Sequence, residues 1–304
     1  MGRDHQHGAG VKHRGRLVLV LGLTLTVLLV EAVVAWATGS LALLADAGHM
    51  LGDSFGIVMA LVAMTVAQRG GGPGNRRTFG YQRTEVIAAG LNGLILLGLA
   101  VWIFFRAIGR LGDAPAIEGG VVLATGIVGL VVNIIGILLL RAGSQESLNV
   151  RGAYLEVLGD ALGSLAVMAS ALVIVLSGWY AADAIASLVI AALILPRAVS
   201  LLRDVVEVLL ESTPRDVDLE ELREHIVTQA GVAEVHDLHV WTITSGMPVM
   251  SAHVVVDDSV ADMAAAEEVL DRLRACLADH FDVEHSTFQI EPGGHLDKEQ
   301  HLHH

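Results

Sequence analysis

Long apolar runs fill the first two thirds of the chain, at about Leu17 to Thr38, Leu41 to Ala67, Val86 to Phe105, Gly119 to Leu140, Leu155 to Ser177 and Ala182 to Leu202. Short Gly, Pro or charged breaks separate them. A helix crossing the hydrocarbon core of a bilayer needs roughly 20 apolar residues, so each run predicts a transmembrane helix. The first run is too long for a cleavable signal peptide, and no small-residue cleavage site precedes a polar start. After Arg203 the apolarity becomes intermittent. Its period predicts helix over about Asp218 to Gln229, strands over Glu234 to Thr242 and Val249 to Val256, helix over Ala261 to His280, and a strand over Val283 to Ile290. "TSGMP", residues 244 to 248, supplies the hairpin turn. The expected architecture is an α-helical polytopic membrane protein with six transmembrane helices and a C-terminal α+β, ferredoxin-like domain in α-β-β-α-β order. The boundaries read as a polar N-terminal tail 1–15, a membrane domain 16–203, a C-terminal domain 204–292 and a His-rich tail 293–304.

Composition agrees with the pattern: 53% of the 304 residues are hydrophobic and 17% charged, and the mean hydropathy is +0.60. Charge divides sharply. Residues 1–203 hold 14 Lys/Arg and 11 Asp/Glu, whereas 204–304 hold 5 and 22, so the halves carry +3 and −17. The acidic half argues against nucleic acid as a partner and mildly for cations. Basic residues precede the first helix (Lys12, Arg14, Arg16), fill the second loop (Arg69, Arg76, Arg77, Arg83), flank the fourth (Arg141, Arg151) and close the sixth helix (Arg197, Arg203). Cytoplasmic loops are enriched in such residues, so both termini are expected inside a cell membrane. Arg106 and Arg110, at the far end of the third helix, oppose the rule. The single cysteine, Cys276, cannot form an intrachain disulfide and reads as a buried small residue in a reducing compartment.

Ionisable residues within the apolar runs carry the candidate chemistry. On a helix His49 and Asp53, at i and i+4, project from one face, with Asp46 about 60° away. Glu156 and Asp160 repeat the spacing in the fifth helix. Two helices offering one imidazole and three carboxylates can build a four-coordinate site. A charged side chain at the bilayer centre costs ~2.5–3.5 kcal/mol, and a shared dication removes most of that penalty. A hydrogen-bonded cluster of neutral acids is the alternative. Glu31, alone in the first helix, reads equally as a relay or a packing residue, and Asp46 as an entry residue, an outer partner of the ligands or a helix-end group. Small residues flank both pairs (Ala45, Gly48, Gly52; Gly159, Gly163, Ser164), which lets two helices approach closely.

"SLALLADAGHMLGDS", "FGYQRTE", "NVRGAYLEVLGDALGS", "STP", "VHDLHVWTITSGMPVMSAHVVV" and "EHSTFQIE" occur in that order between about Arg16 and Pro292. Together they resemble the cation diffusion facilitators. The resemblance implies a homodimeric exporter in a lipid bilayer that exchanges a divalent cation, most often Zn2+, for protons by alternating access. It places the transport site at His49, Asp53, Glu156 and Asp160. Zinc-selective members usually carry histidine at the position of Glu156, and added oxygen ligands broaden tolerance toward manganese, iron, cobalt or cadmium. Because a ligand must lose its proton to bind metal, metal and proton binding exclude one another.

In the C-terminal domain the resemblance marks His236, His239, His253, His285 and Glu291 as ligands of a regulatory metal. On the strand pattern alone, His236 and His239, three apart, face opposite sides of the sheet. Arg83 matches a basic position that pairs with an acid after the sixth helix, here Glu211. The loop "QRGGGPGNRRTFGYQR" holds neither His nor acid, so an accessory metal site found there in some members is expected to be missing; the loop reads instead as a basic linker near anionic headgroups. His225 and His280 read as surface groups. The tail histidines, His5, His7 and His13 at one end and His295, His301, His303 and His304 at the other, suit weak metal capture or plain polar tails. Two rival functions remain: an intramembrane metalloenzyme, for which the chain lacks an H-E-x-x-H motif, and a membrane metal sensor, which leaves the intramembrane ligands unexplained.

Overall fold

The computed structural model describes residues 6–67, 76–142, 144, 148–244, 246–280 and 285–293. Its elements are α1 (Gln6–Thr38), α2 (Leu41–Ala67), α3 (Thr84–Arg110), α4 (Gly119–Arg141), α5 (Leu148–Ser177), α6 (Ala181–Leu209), α7 (Leu219–Val227), β1 (Val232–Thr242), β2 (Pro248–Val256), α8 (Met263–His280) and β3 (His285–Pro292). The chain divides into two compact units, residues 1–61 with 89–202, and 62–88 with 203–304.

In the first unit, α1, α3, α4, α5 and α6 are each long and apolar enough to cross a membrane among the described residues. The 27-residue α2 is the sixth helix; at 1.5 Å per residue it spans about 40 Å, enough for a bilayer core. The helices overrun the apolar stretches read from sequence: α1 reaches back to Gln6, through the expected tail, and α5 begins at Leu148. A backbone already helical in the bilayer continues into the polar zone, where its hydrogen bonds still form, so hydropathy marks the crossing and not the helix end. α4 packs chiefly on α5 and α1. A shared core of Leu41, Leu43, Ala45, Leu96, Ile103, Val167, Ile190 and Ile194 joins the helices. Large apolar side chains such as Val33, Phe105 and Leu176 point outward, 65%, 68% and 77% exposed, an arrangement that only lipid or a partner makes tolerable.

One end of this unit is tied by a carboxylate. Asp183, in the first turn of α6, is buried and accepts from Ser40 Oγ at 2.5 Å and from the Leu41 amide at 2.7 Å, so it caps the N-terminus of α2 from another helix. Arg110 Nη1 donates to the Gly39 carbonyl at 2.8 Å and lies 3.8 Å from Asp183. Arg106 stacks over the Trp102 ring. The two arginines that oppose the positive-inside pattern are therefore engaged by named partners.

The second unit contains the α+β domain. Its three-stranded sheet runs β1-β2-β3, with β1 and β2 antiparallel and β2 and β3 parallel. Asp218 caps α7 by accepting from the Glu220 and Glu221 amides. Leu222 and Ile226 of α7 and Val269, Leu273 and Leu277 of α8 meet Val235, Val240, Met250, Ala252 and Val254 of the sheet in one core. The β1–β2 turn closes by hydrogen bonds between Ile243 and Met247 and between Met247 and Thr244, with Gly246 at φ +72°, which suits glycine. Cys276 is half-buried on α8 and lies outside that core. In the same unit Arg83 Nη2 donates to Glu211 Oε1 at 2.7 Å and Thr244 donates to Glu85 at 2.7 Å.

Candidate metal centres

The first candidate centre lies between α2 and α5. His49, Asp53 and Asp160 each offer a ligand atom, and the three atoms lie within 4.8 Å of one another. The i, i+4 spacing does this work for His49 and Asp53, whose side chains approach to 3.8 Å. Asp160 is buried at 4% exposure, and its Oδ1 has no hydrogen-bond partner among the described residues; the same holds for His49 Nδ1. A buried carboxylate oxygen without a partner is costly in an apolar surround, and a proton or a cation relieves that cost. Asp53, Glu156 and Asp160 line a cavity of about 250 Å³ whose other walls include Leu17, Leu21, Met50 and Val157.

Glu156 stands apart from that trio. Its Oε1 accepts from Arg197 Nη2 at 3.1 Å, and Arg197 Nη1 donates to Asp53 Oδ2 at 3.0 Å. Arg197 enters the sequence reading only as a marker of membrane orientation; here it reaches from α6 to two of the candidate ligands. The available signal is a guanidinium placed just after Pro196 inside an apolar helix.

Further buried polar groups lie on α2 and α5 and on the neighbouring α1 and α4. Asp46, fully buried, accepts from Ser164 at 3.4 Å, and Asn133 Nδ2 donates to Ser164 at 3.2 Å. Glu31 is fully buried with neither carboxylate oxygen hydrogen-bonded among the described residues. A Cβ at Gly163 would collide with the Asp46 carboxylate, so glycine is required for α5 to pass α2 at this level.

The second centre is on the sheet. Glu291 Oε2 lies 3.0 Å from His236 Nε2, Glu291 Oε1 lies 2.9 Å from His253 Nδ1, and Gln289 Nε2 donates to Oε1 at 2.8 Å. The two imidazoles meet edge to face at 5.0 Å between centroids. His236 pairs with His253 across β1 and β2, and Glu291 arrives two residues beyond Gln289, the β3 partner of His253.

His239 and His285 are elsewhere. His239 is exposed beside Ser251, and His285 is exposed beside Val249 at the opposite end of β3 from Glu291. The expectation that His236 and His239 face opposite sides is corrected by a β-bulge: three steps along β1, from His236 to His239, match two along β2, from His253 to Ser251, and Asp237 takes φ +46°. The extra residue restores parity, so both histidines point from one face. His225 is half-buried, its Nδ1 2.8 Å from the Glu221 carbonyl. His5, His295, His301, His303, His304 and the loop residues 68–75 lie outside the described residues, as do the side chains of His7, His13 and His280.

Comparison with known proteins covers nearly the whole chain. Residues 17–210 match the family described as "Cation efflux transmembrane domain", and 214–293 match "Cation efflux protein, cytoplasmic domain". A protein named metal cation efflux system protein CzcD, from Cupriavidus metallidurans, is 41% identical over 99% of this chain and 95% of its own length. A Bacillus subtilis protein named cadmium, cobalt and zinc/H(+)-K(+) antiporter is 36% identical over 97% of this chain and 93% of its own. The Escherichia coli zinc transporter ZitB is 40% identical over 91% of this chain and 87% of its own.

Proposed function

Because the chain belongs to the cation diffusion facilitator family and so to the metal-cation efflux transporters, we propose that it exports a divalent transition-metal cation, Zn2+ first, from the cytoplasm in exchange for protons. The carrying observation is the convergence of His49, Asp53 and Asp160 within 4.8 Å between two apolar helices. A mixed nitrogen and oxygen donor set suits zinc; its high oxygen content also suits cadmium and cobalt, the cations in the name of the Bacillus subtilis relative.

The same groups supply the coupling. Each carboxylate or imidazole binds metal only when deprotonated, so cation arrival on one side releases protons and proton arrival on the other releases the cation. No bond in a substrate is made or broken, and the chain is not an enzyme. Glu31 and Asp46, buried next to the trio, are placed to pass protons toward the far side. On the sheet, His236, His253 and Glu291 form a second metal site that regulates transport, and the C-terminal domain holds two copies of the chain together as a homodimer with both termini cytoplasmic.

The test is Zn2+ flux into proteoliposomes across an imposed pH gradient. The proposal expects uptake that moves protons in the opposite direction and falls when an ionophore collapses the gradient. Uptake indifferent to the gradient, with no accompanying proton flux, would overturn the exchange.

A further inference from the structure

Arg197 touches two carboxylates from two different helices, and its own helix is a third. Its position follows "AALILP" in α6, where Pro196 removes one intrahelical hydrogen bond. The guanidinium remains charged under all ordinary conditions and presents a planar fork of donors, so it can serve two separate acceptors at once. One arm is 3.0 Å from Asp53 Oδ2 and the other 3.1 Å from Glu156 Oε1.

Charge then distinguishes the acids. Asp53 is shared between Arg197 and the trio with His49 and Asp160, whereas Glu156 is engaged by Arg197 and lies outside the trio. With the three carboxylates ionised and His49 neutral, as metal ligation requires, the acids bring three negative charges. A dication and one guanidinium bring three positive charges. With Asp46 and Glu31 protonated the loaded site is then neutral, and an uncompensated charge in such a setting is what the membrane penalises most.

We propose that Arg197 is a fixed counter-cation of the transport site, matched to Glu156, and that the pair makes the site electroneutral only when it holds one dication. This rests on the reading of His49, Asp53 and Asp160 as cargo ligands. Glu156 therefore acts as the partner of Arg197 and as an outer neighbour of the cargo. Where a neutral histidine stands in place of this glutamate, the matching cation is superfluous and harmful to affinity. The pair is a specificity device: a monovalent cargo leaves the site negative and a trivalent one leaves it positive. Arg197 is a positioning residue, acting on the cargo through Asp53 and Glu156.

A double-substitution cycle on the full-length protein in proteoliposomes tests it, reading KM and kcat for Zn2+. Glu156→His leaves one excess positive charge in the loaded site and raises KM by about tenfold, within the range of coupling between neighbouring charged groups. Arg197→Gln leaves one excess negative charge, lowers KM and lowers kcat because the cargo is released slowly. Combining the two returns KM toward the parent value. Arg197→Lys keeps the charge without the fork and stays near the parent KM, which separates charge balance from packing. A double variant whose KM stays as high as that of Glu156→His, or an Arg197→Lys protein as impaired as Arg197→Gln, would overturn the pairing. Asp160→Asn in parallel keeps the two readings distinct: loss of transport there, with no recovery of KM in the double variant, removes the counter-cation and spares the transport site, whereas transport retained in Asp160→Asn removes both.

Discussion

The two clusters of His and acid solve the burial of a carboxylate in opposite ways. On the sheet, Glu291 is 1% exposed yet already engaged by His236, His253 and Gln289. Between α2 and α5, Asp160 and His49 each retain a buried polar atom with no hydrogen-bond partner among the described residues, and Glu31 and Asp46 behave alike nearby. A carboxylate whose two oxygens both have partners tolerates burial without a cation and binds one only by giving up internal contacts. An unsatisfied one in an apolar surround depends on the cation or on protons to be tolerable. Composition alone does not define a metal site; whether the buried carboxylate oxygens already have partners separates a site that must be filled from one that can be.

The largest effect expected from this difference is at the membrane cluster. Asp53→Ala removes a ligand, the acceptor of Arg197 and the acid beside His49, and should reduce Zn2+ flux by at least about 100-fold, the range seen when a group acting in a binding constellation is lost. The folded fraction, read by size-exclusion elution and thermal unfolding, should stay close to that of the parent. Flux within a few-fold of the parent would erase the contrast between the clusters. An intermediate effect is expected on the sheet, where Glu291→Gln should weaken one class of Zn2+ site in titrations of the full chain by at least about tenfold, more than loss of an outer partner alone would cause. Flux at saturating Zn2+ should persist. Flux abolished by Glu291→Gln would make the two clusters equivalent. The smallest effect belongs to Arg83→Ala: the Arg83–Glu211 pair is largely exposed, at 39% and 56%, and such pairs contribute ~0–1 kcal/mol, so the unfolding temperature should barely move.

Periodicity made the membrane cluster legible because a helix repeats faithfully: i, i+4 spacing put His49 beside Asp53 whatever the surroundings. The same arithmetic failed on β1, where one bulged residue at Asp237 reversed the facing of every side chain beyond it, and nothing in "VHDLHVW" announces a bulge. Arg197 was hidden by a rule that explained it too readily, since an arginine near a helix end satisfies the inside-positive pattern. Asp183 was hidden likewise, as an acid in a first helical turn looks like a local cap and not the cap of α2. His285 and Glu291 stand at opposite ends of β3, as their numbering already indicates, and the parallel register with β2 is what brings Glu291 beside His253. Spacing within one element was thus readable, and placement decided between elements was not.

The central claim is that the trio between α2 and α5 holds the cargo. Equilibrium dialysis of purified full-length protein against Zn2+, in a Glu291→Gln background that weakens the sheet site, tests it most directly. The account predicts one tightly held dication per chain, lost when Asp160→Asn is added. An unchanged Zn2+ count after that substitution would contradict it.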